Sequence, residues 1–275
     1  IVATTGDFGM QGNLPTHPEL LDWLAVDFME NNWDIKRLIK KIVLSATYRQ
    51  SSRISAKHSN TDPENTYLSR FPRVREKAEF IRDIVLGSSG LLVKTIGGPS
   101  VKPYQPNGIW EAATSGRGVL AVYEQDHGEA LYRRGLYTFI KLTAPPPGMI
   151  MFDASNRDQC EVRRLNTTTP LQALAMMNDP LVLEASRVFA QQLFVKNNSI
   201  EQKIQLAFRS IICRTPTNKQ LNILSDYYQE QVKQFDSKKL DAGKTLRVGE
   251  YAQDERTNKN KLAALMKVIV TIYNM

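Results

Sequence analysis

The chain has 275 residues, of which 42% are hydrophobic and 23% charged, with 8% aromatic. That is enough apolar material for a sizeable core, and it excludes a disordered tail or a collagen-like rod. A formal net charge of +8 raises nucleic acid as a partner, but the charge is spread along the chain without a binding motif, so it is better matched to a basic surface or to acidic glycans.

In chain order, Gly6-Asp7-Phe8-Gly9 and Gly12-Asn13 open the chain as an irregular loop. Thr16-His17-Pro18-Glu19 reads as a helix start, with Thr16 as cap and Glu19 closing a capping box. Leu20, Leu21, Leu24 and Phe28 follow at helical spacing. Asn31-Asn32-Trp33 links this helix to a second from about Asp34. Its apolar face is Ile35, Leu38, Ile39, Ile42 and Ala46, with Lys36, Arg37, Lys40 and Lys41 mostly opposite. Ser45 to Pro72 is polar and turn-rich, broken at Asp62-Pro63. Val74, Ala78, Ile81 and Val85 mark a third helix that ends near Gly87 or Gly90.

The texture then changes. Gly97-Gly98-Pro99, Pro103 and Pro106 cannot continue a helix. Val119 to Tyr123, Leu136 to Ile140 and Met149 to Phe152 have the composition of short strands. From Thr169 the pattern is helical again. Asn178-Asp179-Pro180 starts one helix, Ile204, Ala207, Phe208 and Ile211 mark another, and Thr217 to Gln220 is a second capping box. Ser237 to Asn260 is polar and is expected to hold a mobile loop. Leu262, Leu265, Met266 and Ile269 form a last helix. The expected fold is mainly α with a small irregular, β-containing centre. It is read as a single domain over 1–275, helical over 16–90, irregular over 91–168 and helical over 169–275. No stretch of 18 apolar residues spans a membrane.

Standard catalytic signatures are missing. The three histidines are dispersed: His17 in a first helical turn, His58 in a polar loop, and His127 in a Glu124-to-Glu129 turn whose spacing fits no zinc site. Gly97-Gly98-Pro99-Ser100 lacks the Lys of a phosphate loop and reads as a turn. Cys160 and Cys213 show neither CxxC nor CxxCH spacing, so no covalent haem is expected in this chain. Cys160 is expected as a buried structural thiol. The densest polar stretch runs from Tyr132 to Asp179. There Arg133, Arg134, Arg157, Arg163 and Arg164 fall close in sequence to Asp153, Asp158 and Glu161. Two readings stay open: an internal ion-pair network pinning the loops, with Asp153 as first partner of Arg163 and Arg164, or a pocket for an anionic ligand. Asp153 is expected to be buried beside Phe152, Leu165 and Leu171. A hydrolase or oxidoreductase site would draw on Asp7, Tyr48, Arg49, Asp153 and Arg163.

Gly6-Asp7-Phe8-Gly9, Thr16 to Ala25, Ser45-Ala46-Thr47-Tyr48-Arg49-Gln50-Ser51-Ser52, Gly97 to Val101, Tyr132-Arg133-Arg134, Phe152-Asp153 and Thr167 to Leu174 occur in that order. Together they resemble the planctomycete-type domain of unknown function, family 1553. Thr168 stands where that family commonly carries Asn. The resemblance implies the C-terminal part of a large exported, extracytoplasmic protein, with an upstream companion domain and often a c-type cytochrome domain carrying the haem. It implies no established chemistry. The Ile1-Val2-Ala3 start fits a fragment of such a protein, and an accessory or substrate-handling module is the expected role, with a structural docking domain as the other non-catalytic option.

Overall fold

The computed structural model describes residues 1–7, 9–114, 121–155, 157, 160–195 and 198–275, with backbone alone at 56–58 and 114. The fold is mainly α, with twelve α-helices and two short 3-10 turns among the described residues. The chain divides into two compact units, Ile1–Arg75 with Cys160–Leu165, and Glu76–Gln159 with Asn166–Met275.

The first unit carries α1 (Pro18–Glu30), α2 (Ile35–Leu44) and α3 (Ala56–Thr61). Helix α1 starts where the Pro18 signal places it, but Thr16 is not its cap. The Thr16 hydroxyl instead donates to Ile1 O at 3.1 Å, and His17 takes the cap position without a side-chain bond. Asp34 caps α2 by accepting from Arg37 N at 3.0 Å. Asp27 on α1 holds α2 through Arg37 at 2.9 Å and Lys41 at 2.5 Å. These two cations, through their hydrogen bonds, keep the Asp27 carboxyl below its ordinary range. Asn32 and Trp33 turn the chain through left-handed backbone, with Trp33 edge-on to Phe28 at 5.1 Å. The Asp62-Pro63 breaker becomes a tight hub. Asp62 accepts from Thr66 N, Tyr67 N and Ser69 Oγ, and Arg70 closes on Asp62 O and Pro63 O. No residue of α1 or α2 is buried.

The second unit is built around α12 (Lys259–Tyr273), which packs on α8 (Pro180–Val195), α9 (Ile200–Ile212) and α10 (Asn218–Asp236). Helix α12 is apolar nearly all round, which suits a helix surrounded on every side. Its Leu262, Leu265, Met266 and Ile269 are buried, and each contributes roughly 1.5–3 kcal/mol relative to exposure. Ser199 and Thr217 open α9 and α10 with reciprocal capping boxes on Gln202 and Gln220. A second cluster joins α4 (Ala78–Ser88) to α8 through Val85, Leu86, Leu131, Tyr132, Leu181 and Val188. The third helix therefore begins at Ala78, leaving Val74 outside it and exposed.

The centre differs from expectation. Among the described residues β structure is confined to isolated bridges, Val93 with Arg133, Val101 with Thr138 and Lys141 with Ala144. The Leu136-to-Ile140 run begins instead in a 3-10 turn, Gly135–Tyr137, and pairs at Thr138 alone. Met149 to Phe152 falls largely in a helical turn, α6 (Pro147–Ile150), following α5 (Ile109–Thr114). The preceding prolines preset a helical entry, and Pro146 O accepts from Met149 N and Ile150 N. Of the Val119-to-Tyr123 run, Val119 and Leu120 lie outside the described residues, and Ala121 to Tyr123 form no strand. Prolines at 103, 106 and 145–147 remove ladder donors, so β-propensity finds no partner strand. The Ser237-to-Asn260 stretch is also not a free loop. It holds α11 (Ala242–Leu246) and is tied to the core at Tyr251, as described below. No helix among the described residues is long and apolar enough to cross a membrane.

Candidate functional site

The expected site residues fall into both units. Asp7, Tyr48, Arg49, Arg163 and Arg164 belong to the first, and Arg133, Arg134, Asp153 and Arg157 to the second. In the first unit Asp7 accepts from Gly9 N at 2.9 Å within its own turn, and Tyr48 stacks edge-on against Phe71 at 5.3 Å. Arg49 and Arg163 are exposed and Arg164 is half-buried. Among the described residues no hydrogen bond or ion pair joins Asp7, Tyr48, Arg49 and Arg163 to one another.

In the second unit the arginines have separate tasks. Arg133 is buried and caps a turn of carbonyls, donating to Pro99 O at 2.7 Å and also to Gly97 O and Thr95 O. Its guanidinium lies 3.8 Å from the centre of the Tyr137 ring. The Gly97-Gly98 turn, left-handed at both glycines, thus presents carbonyls to a cation, the opposite polarity to an anion cradle. Arg134 pairs with Asp83 at 3.5 Å. Asp153, in left-handed backbone, accepts from Thr167 N at 2.8 Å and Thr167 Oγ1 at 3.0 Å. It is half-buried, and Leu165 and Leu171 are exposed rather than the apolar cover expected of them. Arg157 is exposed, and Asp158 lies outside the described residues, as does the His58 side chain. Cys160 is exposed with a free thiol, like Cys213, so a buried structural role does not apply to it. His127 is not merely solvated, because its Nδ1 lies 2.6 Å from Glu250. Among the described residues no cluster of metal-ligating side chains forms.

A buried polar network escaped the sequence reading. Glu184 and Arg187 on α8 are both fully buried. Glu184 accepts from Tyr104 Oη at 3.0 Å, Tyr132 Oη at 3.0 Å and Tyr251 N at 2.7 Å, with Arg187 Nη2 3.9 Å away. Arg187 in turn donates to Tyr251 O, Ala252 O and Gln191 Oε1. Burial, reinforced by the Glu184 charge, pushes both phenols well above their ordinary range, so they remain donors. This network fastens the 248–252 loop to α8.

Beside it the second unit forms a partly open cavity of about 300 Å³. Its walls are mostly apolar: Ile81 and Val85 of α4, Met149 and Phe152, Met176 of α7 (Pro170–Asn178), and Leu181 of α8, with several prolines among the lining residues. Helix α7 is set by Gln172, which accepts from Thr169 N and reaches back to Met151 O at 2.9 Å. Two ionisable groups of opposite sign enter this wall. Arg82 donates through Nε to Arg133 O at 3.2 Å and through Nη2 to Leu131 O at 2.6 Å. Burial pulls its pKa down to about 10 against the attraction of Asp179 and Asp83, which leaves it cationic at neutral pH. Asp179 caps α8, its Oδ1 accepting from Leu181 N at 2.8 Å and Val182 N at 3.3 Å. Burial raises its pKa, opposed by those two amides and by Arg82. Two further atoms on lining residues, Gln105 Nε2 and Thr138 Oγ1, are buried without a partner. Polar groups left unmatched in this way cost about 1–3 kcal/mol each. Mostly apolar walls with a few convergent polar groups are the common character of small-molecule sites.

Residues 1–228 match a family described as PSD1, protein of unknown function (DUF1553). The match stops inside α10, so the central helix α12 lies beyond it. No curated protein and no solved structure matches the chain.

Proposed function

Because the chain belongs to the DUF1553 family, whose description assigns it no activity, we propose on physical grounds that it is a substrate-handling module that takes a small, mostly apolar molecule into the cavity between α4, α7 and the start of α8. The observation that carries this reading is the cavity itself: apolar walls with one guanidinium and one carboxylate among the lining residues. Its volume of about 300 Å³ sits at the small end of ligand sites, which favours a compact molecule over a polymer. The wider setting is part of the same proposal and rests on the motif resemblance alone: an exported, extracytoplasmic multidomain protein, with an upstream domain and a c-type cytochrome domain as neighbours.

Indole titration tests the cavity. A Cβ at Gly148 would stand 3.6 Å from Asp179 Oδ2, and Gly148 is exposed, so Gly148→Phe fills the cavity without removing a core residue. Saturable indole binding by the natural chain, lost in a Gly148→Phe variant of unchanged melting temperature, is expected. Absence of saturable binding, or equal binding by both proteins, refutes the reading.

A further inference from the structure

The charge pattern of the cavity narrows its ligand. Among the described lining residues, Arg82 and Asp179 are the two that carry formal charge. Each keeps one polar atom in reserve. Arg82 commits Nε and Nη2 to backbone carbonyls, and Nη1 has no hydrogen bond among the described residues. Asp179 commits Oδ1 to the first amides of α8, while Oδ2 accepts nothing among the described residues and lies beside Gly148 on the cavity wall. No ion pair joins the two side chains. The phenols of the wall are already engaged, Tyr104 with Glu184 and Tyr123 with Pro103 O.

We propose that the cavity recognises a small zwitterion with an apolar body, the chemistry of a free aromatic or branched amino acid, its carboxylate meeting Arg82 Nη1 and its ammonium meeting Asp179 Oδ2. This rests on the small-ligand reading of the same cavity. A simple carboxylate satisfies Arg82 but brings a second negative charge towards Asp179 in a medium where charges are weakly screened. A simple amine has the converse fault. A zwitterion answers both charges with hydrogen bonds to ionised groups, the stronger kind, and the apolar walls of Ile81, Met149, Phe152 and Met176 receive its side chain.

Calorimetric titration of the chain with L-phenylalanine, 3-phenylpropionate and 2-phenylethylamine separates the charges while holding the ring constant. Phenylalanine is expected to bind about tenfold or more tightly than either half-ligand. In Asp179→Asn the amide oxygen still caps α8, so the fold persists, and the advantage of phenylalanine over phenylpropionate is expected to vanish. Equal binding of phenylalanine and phenylpropionate, a preference for the amine, or an unchanged advantage in Asp179→Asn overturns the zwitterion proposal. So does failure of all three probes: if indole still binds, the cavity reading survives, and if indole fails as well, both fall.

Discussion

Gly249→Ala is expected to be among the most damaging single methyl additions in this protein. Gly249 has φ +71°, and a Cβ there would lie 2.0 Å from Glu184 Cδ, where ordinary contact begins at 3.4 Å. Glu184 cannot yield, because its carboxylate is fully buried and held by Tyr104, Tyr132 and Tyr251 N. The loop must therefore retreat by more than an ångström. That breaks the 2.7 Å bond from Tyr251 N to Glu184 and the 2.6 Å bond from Arg187 to Tyr251 O. Hydrogen bonds to ionised groups contribute about 1.5–3 kcal/mol each, and a left-handed alanine costs about 1 kcal/mol more, so the loss is on the order of 5 kcal/mol. Denaturant unfolding measures it. Glu184→Ala alone is expected to cost about 3–5 kcal/mol by stranding Arg187 without its carboxylate. The double variant is expected to cost less than the two together by at least about 2 kcal/mol, since the truncated side chain makes room for the methyl. A Gly249→Ala cost below about 1 kcal/mol, or additivity in the double variant, refutes the argument.

Two further outcomes follow from the same geometry. Arg133→Lys keeps the charge but loses the planar fork that serves the Pro99 and Gly97 carbonyls and the stack on Tyr137, so a loss of about 1–3 kcal/mol is expected. Faster hydrogen exchange at Gly97 N, now bonded to Tyr137 Oη at 2.6 Å, should accompany it, and unchanged exchange counts against the role. Glu250 is held below its ordinary pKa of 4.5, chiefly by His127 and also by Gly128 N and Gln125. A depressed carboxylate contributes stability that is present above its unfolded pKa and lost as pH falls through the folded one. The melting-temperature advantage of the natural chain over Glu250→Gln should therefore be present just above pH 4.5 and shrink as the pH drops below it. A gap independent of pH contradicts this.

Features whose causes are local were legible in the order of residues. A capping box joins a residue to its neighbour three positions on, so Thr217 and Gln220 announce α10 without any tertiary help. Asp179 and Pro180 start α8 for the same reason, and the apolar spacing of Leu262 to Ile269 marks α12. The ordered set of motifs likewise carried the family. Strand composition was misleading because β structure needs a partner, and the prolines and left-handed glycines of the centre withhold one. The cavity was invisible in one dimension, since Arg82, Gln105, Thr138 and Asp179 come from distant segments and each residue type is ordinary where it stands. The Glu184–Arg187 pair left a faint signal, two charges in a helical stretch, 181 to 191, where Ser186 and Gln191 are the only other polar residues. Spacing of three residues reads equally well as a surface pair. Only the return of Gly249 to Tyr251 across α8 decided that these charges are sealed from water, because burial depends on what the rest of the chain lays over a helix and not on the helix's own pattern.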